Sequence, residues 1–202
     1  MKHAITVKLF FIILLIGSLT GCIITHVKGF TDRDFQGYHL VKIAVRAPNA
    51  SFMFGELLEK SMVEKLRDKG VQAESFMEIF PPTRQWTNEQ VATELGQKGF
   101  DTIMYVNLVG SGSSTQTVGY INTGNAFAYG NMATFNSVSV PITGRSRYTS
   151  TRITIYDVAT ARTSWVGDSS TNAGGLAFVD DKTQTDDIAK EVTDTLAKSG
   201  HL

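Results

Sequence analysis

Cysteine is nearly absent from this chain: of 202 residues, only Cys22 carries a thiol. That excludes an internal disulfide, so the fold must be held by packing. Histidine is scarce as well. His26, His39 and His201 lie far apart, and no pair of His or Cys residues stands at the spacing of a zinc site, so no metal is expected. The same scatter leaves no readable nucleophile–base–carboxylate set. Net charge is missing too, with 19 basic residues balanced by 19 acidic ones. Without a basic stripe to neutralise phosphates, nucleic acid is not an expected partner. Nor is there a long apolar run. Leu9 to Ile16 reaches roughly 12 Å at about 1.5 Å per residue, too short for a bilayer core of about 30 Å.

What is present begins at the N-terminus. Lys2 and Lys8, the apolar run, then Gly17 and Ser18 have the form of a secretory signal. Leu19-Thr20-Gly21 leads directly into Cys22, and these four residues resemble the lipobox of bacterial lipoproteins. The resemblance implies a leader of residues 1–21, cleaved before Cys22. It also implies a diacylglycerol on the Cys22 thiol and an N-acyl chain on its amine. Such chains bind a membrane at about 0.8 kcal/mol per buried methylene, and no other cofactor is expected. Loss of Lys2 and Lys8 leaves seventeen basic against nineteen acidic residues, a net of −2. No polybasic cluster flanks the anchor. Ile23 and Ile24 follow the cysteine where an Asp commonly retains Gram-negative lipoproteins at the inner membrane. The resemblance therefore implies the outer membrane, facing the periplasm.

Residues 22–39 read as a lipidated N-terminus and tether, and residues 40–199 as a single α/β domain. Leu40 to Arg46 is a short β-branched run stopped by Pro48. Phe54, Leu58, Met62 and Leu66 recur at helical spacing between a cap at Asn49 or Ser51 and Gly70, while Glu56, Glu59 and Lys60 fall on other faces. Val71 to Phe76 reads as a second strand. After the rigid Phe80-Pro81-Pro82-Thr83 loop, Thr87 to Gln90 has the form of a capping box opening a short helix. Phe100 to Val109 is the strongest strand pattern and is expected to be central.

From Gly110 to Arg147 the composition turns to Gly, Ser, Thr and Asn, with Tyr120, Phe127, Tyr129 and Phe135 spaced through it. Irregular hairpins lengthening the sheet are expected here, and those four aromatics form a candidate interaction surface. Bulky residues switch between odd and even numbers from Val118 to Phe135, which speaks against a lipid-facing row. Tyr148 to Val158 and Thr163 to Ser170 alternate as an antiparallel hairpin, with Thr151, Ile153 and Ile155 on one face. Asp180 to Ser199 is a last helix whose core face carries Ile188, Val192 and Leu196. The fold class is thus α/β, with helices on a mixed sheet in the order βαβαβ, irregular extension, hairpin, C-terminal helix.

In this order the chain resembles a broad group of bacterial envelope lipoproteins with the fold of the TolB N-terminal domain. The group includes curli-secretion lipoproteins and outer-membrane activators of penicillin-binding proteins. Val41 to Val45, Leu66 to Val71, Phe100 to Val106, and Ile155 to Val158 leading to Trp165 carry the likeness. It lies in pattern and brings no catalytic motif. The expectation is a non-enzymatic, lipid-anchored module that meets an envelope protein or the cell wall. The alternative is one subunit of an oligomeric outer-membrane secretion channel, which requires a homo-oligomer. A hydrolase is the third.

Overall fold

A computed structural model describes residues 22–129, 132–175 and 179–202. Six strands form one sheet: β1 (Cys22–Thr31), β2 (Lys42–Arg46), β3 (Gln72–Ser75), β4 (Thr102–Tyr129), β5 (Met132–Asp157) and β6 (Thr163–Gly175). Their spatial order is β1-β6-β5-β4-β2-β3. Four helices accompany them: α1 (Phe52–Asp68), the one-turn α2 (Phe76–Ile79), α3 (Asn88–Gln97) and α4 (Asp181–Lys198). A 3-10 turn spans Arg33–Phe35.

The sheet is mixed. β2 runs parallel to β3 and to β4, with Val45 opposite Ser75 and Met104. Elsewhere partners run in opposite directions. Along β5 and β6, the Asp157 amide meets the Arg162 carbonyl, Arg152 meets Asp168 and Thr151 meets Ser169. Thr25 opposite Thr171 and Asp32 opposite Ser164 set β1 antiparallel to β6. The strand expected to be central is interior, and β1 and β3 are the edges.

The helix boundaries follow local chemistry. Ser51 caps α1, Gly70 follows it at φ +89°, and the reciprocal Thr87/Gln90 capping box starts α3. Asp180 caps α4 by accepting from the Thr183 amide at 2.7 Å. α1 and α4 cover one sheet face, where Ile43, Val45, Leu58, Met104, Ile155, Trp165, Ile188 and Leu196 are fully enclosed. α2 and α3 cover part of the other face with Phe76, Phe80 and Leu95 over Ala44 and Ile103.

Two expectations need correction. The segment read as a tether is not slack chain: Cys22–Thr31 is an edge strand. Its side chains are mostly exposed, which is why no hydrophobic pattern announced it. The series expected as βαβαβ is preceded by this strand and interrupted by α2.

The chain divides into two compact units. The larger comprises residues 23–112, 148–173 and 179–202; the smaller contains Cys22, residues 113–129 and 132–147, and Gly174 with Gly175. β4 and β5 contribute residues to both.

Candidate functional site

The smaller unit is a hairpin of the long outer parts of β4 and β5, and Cys22 belongs to the same unit. Cys22 is exposed and its thiol is free, as acylation requires. Leu19, Thr20 and Gly21 lie outside the described residues. From Thr102 to Gly144 the sequence has no Asp, Glu, Lys, Arg or His. A hairpin standing in water normally guards its edges with charge, and this one has none until Arg145 and Arg147. The absence of charge is a feature of the sequence alone, alongside the glycines and aromatics of the same stretch.

Register decides which side chains share a face. At the root, Ser114 and Ser146 exchange a hydrogen bond at 2.7 Å, pairing even with even numbers. Further out, Ser139 donates to Asn122, pairing odd with even. One strand therefore gains a residue between these points, as a β-bulge does. Beyond it Gly119 lies against Ile142, and Gly124 lies under the Phe135 ring, where a Cβ would come within 2.7 Å. Alternation then puts Ile121 and Phe127 of β4 on one face with Val138 and Val140 of β5. All four are more than half exposed, at 52%, 69%, 64% and 51%. The opposite face carries Tyr120, Asn122, Phe135 and Ser139.

The four aromatics singled out from the sequence do not form one patch. Tyr120 and Phe135, both exposed, share a face, and exposed Phe127 lies on the other. The side chain of Tyr129 lies outside the described residues. In the register beyond the bulge, odd residues of β4 lie beside even residues of β5, and bulky side chains stand on both faces.

The hairpin edges are open. β2 pairs with β4 only over Thr102 to Tyr105, and β6 closes with Gly174 beside Arg145 and Ser146. Among the described residues, no strand pairs with the outer edges of 113–129 or 132–143. Each arm exceeds the roughly 9–11 residues that carry a strand across a bilayer. No described helix is long and apolar enough to cross a membrane.

Four titratable groups of the larger unit are committed to structural hydrogen bonds. His201 is buried. Its Nδ1 donates to the Tyr38 carbonyl at 2.9 Å, leaving Nε2 to accept from the Thr31 hydroxyl at 2.9 Å. Burial is the main cause holding this imidazole below its ordinary pKa, opposed by the bond to Tyr38. Asp186 accepts from Ser61 at 2.6 Å, and Asp187 from Thr25 at 2.6 Å. Glu59, read as lying off the core face of α1, is also buried. Its carboxylate accepts from the Ala47 amide, the Ser75 hydroxyl and the Met77 amide at 2.9, 2.6 and 3.0 Å. Among the described residues, no three His, Cys, Asp or Glu side chains converge to hold a metal ion.

Comparison with known proteins supplies no family. No protein-family model matches the chain, and no curated protein matches it. Solved structures similar to it include two envelope proteins. One is PelC of Paraburkholderia phytofirmans, crystallised as a dodecamer, at TM-score 0.49 and 10% identity over 89% of this chain and 99% of that one. The other is lipoprotein GNA1162 of Neisseria meningitidis, at TM-score 0.48 and 13% identity over 78% of this chain and 99% of that one.

Proposed function

We propose that this protein is a lipid-anchored module of the bacterial cell envelope, held at the outer membrane and facing the periplasm. It works by binding or assembly, without catalysis, and meets an envelope protein or the cell wall. One observation carries the reading: the cysteine of a lipobox-like motif belongs to the same compact unit as an uncharged hairpin with exposed apolar side chains. Acylation at Cys22 supplies attachment, and the hairpin supplies the surface that attachment presents. Ile23 in place of Asp supports the outer membrane. The engagement of His201, Asp186 and Asp187 in structural hydrogen bonds supports a non-catalytic role.

Cys22→Ser tests the anchor. It should abolish labelling by radioactive palmitate and move the protein from the membrane pellet to the soluble fraction. Continued membrane attachment of the unlabelled variant would overturn the reading.

The open hairpin edges favour a second reading, a subunit of an oligomeric outer-membrane channel. Strands placed in lipid must satisfy every backbone group, which only a closed barrel does. One hairpin cannot close, so the reading requires several copies paired edge to edge. Light scattering after mild detergent extraction separates the two readings: a large ring supports the channel, and a monomer leaves the binding module.

A further inference from the structure

The sheet face opposite α1 and α4 is only partly covered, and beside α3 it opens into a cleft of about 460 Å³. This volume lies in the range of ligand sites, roughly 300–1,000 Å³. Arg46 of β2, Tyr105 of β4, and Thr154 and Tyr156 of β5 form its floor, and Val91 and Leu95 of α3 form one wall. The cleft lies entirely within the larger unit.

One cation, Arg46, lines it. Arg46 stands opposite Tyr105 in the β2–β4 register. Its guanidinium lies 4.3 Å from the centre of the Phe76 ring and 5.8 Å from that of Tyr105. Such stacking orders the planar group and strips water from its faces, leaving the N–H fork at its edge to bond a planar acceptor. Among the described residues, no carboxylate forms an ion pair with it. Tyr105 meets Tyr156 edge to face at 5.6 Å, which fixes both rings beside the guanidinium. Asp157 also lines the cleft, but it already accepts from the Thr160 amide and hydroxyl at 2.8 and 2.6 Å and from Tyr38 at 3.1 Å. At the rim, Ala161 adopts φ +55°, a left-handed conformation that costs an L-residue about 1 kcal/mol. The Asp157–Arg162 turn between β5 and β6 requires it there.

An unpaired guanidinium binds an oxyanion, and the apolar wall of Val91 and Leu95 beside it suits a carboxylate carried on an apolar body better than a strongly hydrated phosphate. The geometry points to a second binding site in the α/β domain, where Arg46 receives an acidic, apolar peptide segment of a partner protein. Charge complementarity selects this occupant over a neutral chain. The site is independent of the hairpin and of whether the protein forms a ring.

The test uses the acylated protein in detergent micelles and two probes of one shape, 3-phenylpropionate and 3-phenylpropanamide. Saturation-transfer NMR, corrected with empty micelles, should show the carboxylate binding about tenfold more tightly than the amide, the value of one charge-assisted hydrogen bond. Arg46→Gln should remove that preference, and Val91→Trp should fill the cleft and abolish binding of both probes. Where Arg46→Gln fails to fold by circular dichroism, Val91→Trp and the carboxylate–amide pair on the unmodified protein still decide. Equal binding of the two probes would overturn the proposal. So would full carboxylate binding by folded Arg46→Gln or by Val91→Trp.

Discussion

His201 is a buried imidazole bonded at both ring nitrogens, and its backbone carbonyl also accepts from the Leu40 amide. It therefore ties the segment after α4 to the end of β1 and to the entry of β2. Burial lowers its folded pKa below the ordinary value of 6.5, so the unfolded chain takes up the proton first as pH falls. The stability it contributes is complete above the unfolded pKa and is lost as pH drops through the folded one. Urea unfolding at pH 7.5, 6.0 and 5.0 should show a falling midpoint that is flattened in His201→Asn. The carboxylates held below their usual range, such as Asp157 and Asp186, lose their contribution only at lower pH. Neither His201 nor Glu59 was legible as a core residue. Sequence patterns assign charged and titratable types to the surface, and only the donors arranged around them make their burial tolerable.

Among the elements, those that signal themselves locally were legible. The Thr87/Gln90 box, a cap at Asn49 or Ser51, and the Ile188–Val192–Leu196 stripe need only their own segment to be read. β1 depends instead on something distant. Trp165 on β6 is 1% exposed, and its indole is flanked by Gly167 on the same strand and Gly29 on β1. A Cβ at either glycine would stand 2.1–2.2 Å from the ring. The edge strand is thus seated partly by a tryptophan that needs two residues without side chains. Gly167→Ala should destabilise the domain by about 1–3 kcal/mol, the usual effect of overpacking. Denaturant midpoints would report it. In a Trp165→Leu background the same substitution should cost much less, because the two residues share one volume.

For the whole molecule, the hairpin separates stability from function. Val138 is 64% exposed in the smaller unit and touches no core. Val138→Lys should therefore shift the unfolding free energy by no more than about 0.5 kcal/mol. The same change should reduce partner capture or particle size in detergent extracts, as measured by cross-linking. Equal cross-linking would remove that face from the functional surface. The hairpin was legible as an extension, but its faces were not. A single extra residue reverses the odd–even correspondence between its strands, and nothing in composition marks where it sits.

The first residue of β1 is the residue that carries the proposed acyl chains. A flexible tether of eighteen residues would let the domain wander over roughly 25 Å from its anchor point. Here the strand begins at Cys22 itself, so that leash is taken up within the fold. With the acyl chains proposed at Cys22, this edge strand would start at the bilayer surface, and whatever it meets would have to come to the membrane to be met.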